Sequence, residues 1–128
     1  MKSIARIILG VAFTAFAASA FSAEIPFNQA QFDVARAAGK PVAVVFHADW
    51  CPTCRAQAPV LKQLSESPDL KGLTLFVANF DTEKALKRSL GVNKQSTIVV
   101  FRNGKEAVRS TGDTQSGSLS TLLHQAIS

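Results

Sequence analysis

The sequence predicts an α/β domain, a central mixed β-sheet of four or five strands flanked by helices on both faces. Three observations predict it. Val42 to His47 is a continuous apolar run, the pattern of a strand buried on both faces. Helical and strand patterns alternate around it in the order α-β-α-β-α-β-β-α. The last two strands flank Arg102-Asn103-Gly104-Lys105, where Asn-Gly is a strong hairpin signal. A chain of 128 residues is long enough for one domain with one core.

The first 22 residues stand apart. Lys2 and Arg6 precede a mostly apolar stretch from Ile7 to Ala20, followed by the small-x-small sites Ala18-Ser19-Ala20 and Ala20-Phe21-Ser22. This order is that of a secretory leader. The apolar stretch is shorter than the ~20 residues a spanning helix needs, so cleavage between about positions 20 and 23 is expected rather than retention as an anchor. No cysteine lies near these sites, which excludes a lipid-modified N-terminal cysteine. The expected mature domain is 23–128, exported or periplasmic. Losing Lys2 and Arg6 leaves twelve basic residues against nine acidic, a net +3 in place of +5. Lys84, Lys87 and Arg88 share one helical stretch, with Glu83 placed for an i,i+4 pair with Lys87; a solvated face, and no nucleic-acid partner, is the reading.

Within the domain a short strand is expected around Ile25. Asn28 to Ala38 reads as a helix, with Asn28 as N-cap, Gln31 three residues on, and Gly39-Lys40-Pro41 as its stop. The Val42–His47 strand leads into a helix from Cys51 to about Ser65, kinked by Pro59. Leu73 to Asn79 is a strand, and Thr82 to Leu90 a helix with Thr82 as N-cap and Gly91 behind it. Thr97 to Phe101 and Glu106 to Ser110 form the hairpin strands. A last helix places Leu119, Leu122, Leu123, Ala126 and Ile127 on one stripe behind Ser116 as candidate N-cap.

The chemistry concentrates in Trp50-Cys51-Pro52-Thr53-Cys54-Arg55, at the strand-to-helix junction. Cys51 and Cys54 are the only cysteines. A bond between them closes so short a loop that its stabilisation would be only ~2 kcal/mol, so a purely structural staple is disfavoured. In an oxidising compartment such a pair suits thiol–disulfide exchange. With Cys51 at the N-cap, Pro52 takes the first helical position, where its missing N–H costs nothing. The Cys51 sulfur then faces free N–H groups at the positive end of the helix, which favours its thiolate. Cys54, inside the first turn, is expected to be more buried and protonated, and to resolve the mixed disulfide that Cys51 forms. Thr53 offers its hydroxyl to a sulfur or to solvent. Trp50 serves either as an apolar contact for a partner or as packing. His47 is a proton relay, with an unperturbed pKa of ~6.5, or a strand-end histidine with a satisfied hydrogen bond. His124 reads as a surface residue.

Over nearly its whole length the expected mature chain, 23–128, resembles the thioredoxin-fold family. The resemblance is carried by Phe46-His47-Ala48-Asp49-Trp50-Cys51, by the kinking Pro59 five residues after Cys54, and by Asp81. It continues through Gly91-Val92, Thr97-Ile98-Val99-Val100-Phe101, Asn103-Gly104 and Gly112. The resemblance implies a thioredoxin fold, disulfide exchange with protein substrates, and no dissociable cofactor, because the dithiol itself carries two electrons. Pro52-Thr53 is also similar to exported reductases that serve cytochrome c maturation, though this chain is too short for their central insertion. A substrate-binding segment at Gln95, Ser96 and Thr97 is implied too.

Three positions depart from the family pattern. Ser96 stands where the family has a cis-proline facing the sulfurs; a non-proline cis bond costs ~2.5–4 kcal/mol, so the Gln95–Ser96 bond is expected to be trans. Val45 and Val77 replace the buried acid and its lysine neighbour that help deprotonate the second cysteine. His47 replaces an aromatic. The expected function is an exported protein-disulfide reductase, with electrons from a membrane thiol donor that the resemblance implies. The alternatives are a disulfide oxidase, a fold kept for binding with idle thiols, and a metal or iron–sulfur module, for which two cysteines are too few to close a four-ligand site.

Overall fold

The computed structural model describes residues 23–128 and three isolated earlier positions (10, 12 and 14). The expected leader and its expected cleavage sites otherwise lie outside the described residues. Five strands and four α-helices follow in the order β1 (Ala23–Pro26), α1 (Gln29–Ala37), β2 (Val42–His47), α2 (Pro52–Ser65), β3 (Thr74–Asn79), α3 (Lys84–Leu90), β4 (Thr97–Arg102), β5 (Lys105–Thr111), α4 (Ser116–His124). A single 3-10 turn, Pro68–Leu70, joins α2 to β3.

The sheet order is β1-β3-β2-β4-β5, with β1, β3 and β2 parallel and β4 and β5 antiparallel. The mixed sheet therefore has its fifth strand at Ala23–Pro26, around the Ile25 expected from sequence. Central β2 is buried along five of its six residues because both of its faces are covered. Ala43 and Val45 face a cluster with Leu61 of α2 and Leu119, Leu122 and Leu123 of α4. Val42, Val44 and Phe46 face the other side, with Phe32 of α1 and Leu86 of α3. That two-sided burial is why β2 reads as unbroken apolar sequence.

Local chemistry sets most boundaries. The Asn28 carboxamide accepts the Gln31 N–H at 3.0 Å and opens α1. Asn103 and Gly104 both take positive φ, 53° and 78°, as a two-residue hairpin turn requires. Three expectations need correction. α3 starts at Lys84, because Asn79 Oδ1 accepts the N–H groups of Asp81 and Thr82 and holds Thr82 in the preceding turn. Lys87 does not pair with Glu83 among the described residues; its Nζ sits 3.8 Å from the centre of the Phe80 ring. At α4 it is Asp113 that accepts the Gln115 N–H, so Ser116 is already the first helical residue, and Ile127 lies beyond the helix and exposed.

Among the described residues no helix is long and apolar enough to cross a membrane.

Candidate active site

β2 ends at His47 and α2 begins at Pro52, so the intervening turn delivers Cys51 to the start of α2. Cys51 takes an extended backbone (φ −88°, ψ 116°) and caps the helix with its sulfur, which accepts the Cys54 N–H at 3.2 Å. Pro52 occupies the first turn, where no donor is lost. Cys54, one turn in, is fully buried, whereas Cys51 keeps 6% of its surface. Both thiols are free.

The two thiols are pushed in opposite directions. The Cys51 pKa is lowered, first by its hydrogen bond with the Cys54 thiol; burial opposes this, and the N–H groups of Cys54 and Thr53 and the Ser96 hydroxyl add to it. The Cys54 pKa is raised, first by burial and then by the same thiol–thiol contact, with the Ser96 hydroxyl pulling the other way. A sulfur at a helix start beside N–H donors favours the anion, and one sunk in the first turn favours the neutral thiol.

Ser96 sits against both sulfurs. Its Oγ is 2.9 Å from Cys54 Sγ and 3.6 Å from Cys51 Sγ, and the residue is 2% exposed. The Gln95–Ser96 peptide is trans, and Ser96 adopts φ +59°, in the left-handed region. Three elements hold it there. Its N–H donates to Phe46 C=O of β2 at 2.8 Å; its C=O accepts from Gly112 N–H at 3.1 Å, just past β5, and from Gln57 Nε2 of α2 at 3.3 Å. Gln57, almost wholly buried, also donates to Asp113 C=O at 2.8 Å and so ties α2 to the loop before α4.

The remaining sequence candidates fall into two groups. Trp50 lies beside the dithiol, 58% exposed, with Nε1 donating to Asp81 Oδ2 at 2.8 Å; it packs against solvent and not into the core. Thr53 is exposed, and its N–H is the group that bears on Cys51. His47 Nε2 bonds Asp49 Oδ1 at 2.9 Å, a partner at the strand end. Thr97 turns its hydroxyl to Lys94 C=O and Thr111 Oγ1, at 2.8 and 2.9 Å, and Gln95 is half-buried in the loop. At the two positions where the family has an acid and a lysine, Val45 belongs to the buried apolar core and Val77 packs against it. Gln57 was not singled out from sequence, although it falls on the buried stripe Cys54, Gln57, Leu61, Ser65, where an amide must find backbone partners. Among the described residues no group of three or more His, Cys, Asp or Glu could hold a metal ion.

Residues 23–125 match the family model for thioredoxin. The chain belongs to the thioredoxin family. It is 33% identical to thioredoxin of Chlamydia muridarum over 82 residues, covering 64% of this chain and 78% of that one. It is 30% identical to thioredoxin of Rickettsia felis over 88 residues, 68% of this chain and 82% of that one. Among solved structures, Trxlp from Edwardsiella tarda superposes with a TM-score of 0.76 at 42% identity, covering 79% of this chain and 98% of that one. With Cys51 and Cys54 together at the head of α2, this thioredoxin-family protein is a thiol–disulfide oxidoreductase.

Proposed function

We propose that the protein is an exported disulfide reductase in which Cys51 attacks and Cys54 resolves. The observation that carries this is the Cys51 sulfur at the N-cap, accepting the Cys54 N–H, with its pKa lowered while that of buried Cys54 is raised. The Cys51 thiolate attacks one sulfur of a substrate disulfide; that S–S bond breaks, and the departing thiolate takes a proton. Cys54 then loses its proton and attacks Cys51 Sγ, releasing the second substrate thiol. Two electrons pass to the substrate and the protein dithiol becomes a disulfide, with no dissociable cofactor.

Neither Val45 nor Val77 can take the Cys54 proton. The Ser96 hydroxyl, 2.9 Å from Cys54 Sγ, stabilises the Cys54 thiolate instead by donating a hydrogen bond as the proton leaves to solvent. Export rests on the leader pattern, and reducing work in an oxidising compartment requires a donor, for which a membrane thiol transporter fits. Ser96 borders the sulfurs, and a substrate chain would lie along Gln95, Ser96 and Thr97.

The test is a redox titration of the pair, with metal analysis on the same sample. A midpoint near the ~ −270 mV of thioredoxin supports a reductase, and one near ~ −120 mV makes it an oxidase. Stoichiometric bound metal would replace the redox reading. In addition, Cys54→Ser is expected to accumulate mixed disulfides through Cys51, and failure to trap any substrate counts against Cys54 as the resolving thiol.

A further inference from the structure

An open groove of about 580 Å³ is lined by Phe80, Lys84, Lys87, Arg88 and residues 91–93. Its lining connects to the active site through Phe80. Phe80 packs against the cluster of Ala48, Cys51 and Cys54, and residues 91–93 are followed in the same loop by Lys94, Gln95 and Ser96. Lys84, Lys87 and Arg88 follow at i, i+3 and i+4, so they project from one side of α3. No carboxylate lines the groove, and among the described residues none of the three cations makes an ion pair. The nearby acid Asp81 is bound to the Trp50 indole, and Lys87 Nζ rests on the Phe80 ring at 3.8 Å. Three like charges on one helix side repel one another unless a ligand neutralises them.

We infer that this groove receives an acidic stretch of the substrate protein, next to the disulfide that Cys51 attacks. The inference rests on the redox reading above and narrows its substrate class. The groove is open to solvent, and its Phe80 wall packs against the cluster that holds Cys51 and Cys54, so a chain segment lying in it reaches the dithiol through Phe80. Uncompensated charge of one sign beside a reactive centre raises the encounter rate for partners of the opposite sign.

The experiment compares three disulfide peptides of identical cysteine spacing, flanked by Glu, Gln or Lys, as substrates of the full mature chain. At low salt the Glu peptide is expected to exceed the Gln peptide in kcat/KM by about tenfold, a gap that closes as salt rises. Lys84→Glu with Arg88→Glu is expected to remove or invert that ratio. Lys40→Glu with Lys105→Glu, the same charge change at the far end of the sheet, is expected to preserve it. An equal ratio in wild type and the groove variant, or the same loss in both variants, overturns the inference.

Binding without chemistry separates this from the redox reading. Amide shifts of the ¹⁵N-labelled Cys51→Ser/Cys54→Ser chain are followed while a cysteine-free Glu peptide is added. Saturable shifts at residues 84–93 uphold the groove even if no peptide is reduced, an outcome that defeats only the redox reading. No shifts there, alongside normal reduction, defeat only the groove. Glutathione producing the same shifts at the same concentrations would make the occupant a small thiol and overturn the protein segment.

Discussion

Ser96 and Asn103 bracket β4, and they are the two non-glycine residues with positive φ among the described residues, at 59° and 53°. The same backbone conformation is reached by opposite routes. Asn103 lies in a hairpin turn and is followed by Gly104, a pair whose chemistry suits that turn without help from elsewhere. Ser96 has no such local preference, and a left-handed residue other than glycine costs ~1–2 kcal/mol. It stays there because Phe46, Gly112 and Gln57, from three separate elements, satisfy its N–H and C=O. At one end of β4 the conformation serves chain reversal. At the other it aims a hydroxyl at two thiols, which is the kind of place where backbone strain collects.

The largest effect is expected at the hairpin end. A Cβ at Gly104 would lie 2.8 Å from the Arg36 carbonyl oxygen, at φ +78°. That carbonyl belongs to α1, whose Arg36 side chain also donates to Gly104 C=O at 3.0 Å and stacks 4.5 Å from the centre of the Phe101 ring. Gly104→Ala is expected to cost about 2 kcal/mol in denaturant unfolding. Its rate of disulfide reduction is expected to stay at wild type. A rate that fell with stability would mean that the two ends of β4 are coupled.

Next comes the hydroxyl itself. Ser96→Ala removes the contact to Cys54 Sγ and keeps the strained φ. Ser96→Gly removes the same contact and relieves the strain. Both are expected to slow the Cys54 step by about tenfold, the worth of one charge-assisted hydrogen bond. The glycine variant is expected to be more stable than the alanine variant by ~1 kcal/mol. The slowing is read as a longer-lived mixed disulfide in acid-quenched reactions. Equal lifetimes in wild type and both variants would remove Ser96 from the chemistry and leave it a loop residue.

What could be read in the sequence follows the same division. The Val42–His47 strand, the Asn103-Gly104 turn and the Cys51 cap are determined by residues a few positions apart, and period, turn chemistry and helix-start rules reach that far. The active-site contacts span more chain. Ser96 Oγ meets Cys54 across 42 positions, Gln57 meets Asp113 across 56, and Trp50 meets Asp81 across 31. The resemblance to thioredoxins marked Ser96 as a departure but carried no information on where a serine would point. Even locally, competition misled: Thr82 and Ser116 are good caps by residue type, yet Asn79 holds the Thr82 N–H in the preceding turn and Asp113 accepts the Gln115 N–H, so the helices start at Lys84 and Ser116. His47 bonds Asp49 two residues on, a local contact in line with the strand-end alternative to the relay.

The smallest expected effect is on the titration of Cys51. Its pKa is lowered, so at any given pH more of it is thiolate than in a free cysteine. Its alkylation rate in Cys54-intact protein is therefore expected to rise with pH and level off at a lower pH than a free thiol does. The hydrogen bond with the Cys54 thiol is the largest cause, followed by the Cys54 N–H, then the Ser96 hydroxyl, 3.6 Å away, and then the Thr53 N–H. In Ser96→Ala the midpoint is expected to move up, while remaining below that of a free thiol. Asn103→Ala, at the other end of β4, is expected to leave it in place. The sign is the informative part. A donor hydroxyl stabilises the thiolate, and its removal raises the midpoint; a hydroxyl that accepts from the thiol favours the neutral form, and its removal lowers it. A downward move in Ser96→Ala would therefore assign Ser96 to holding the proton on sulfur.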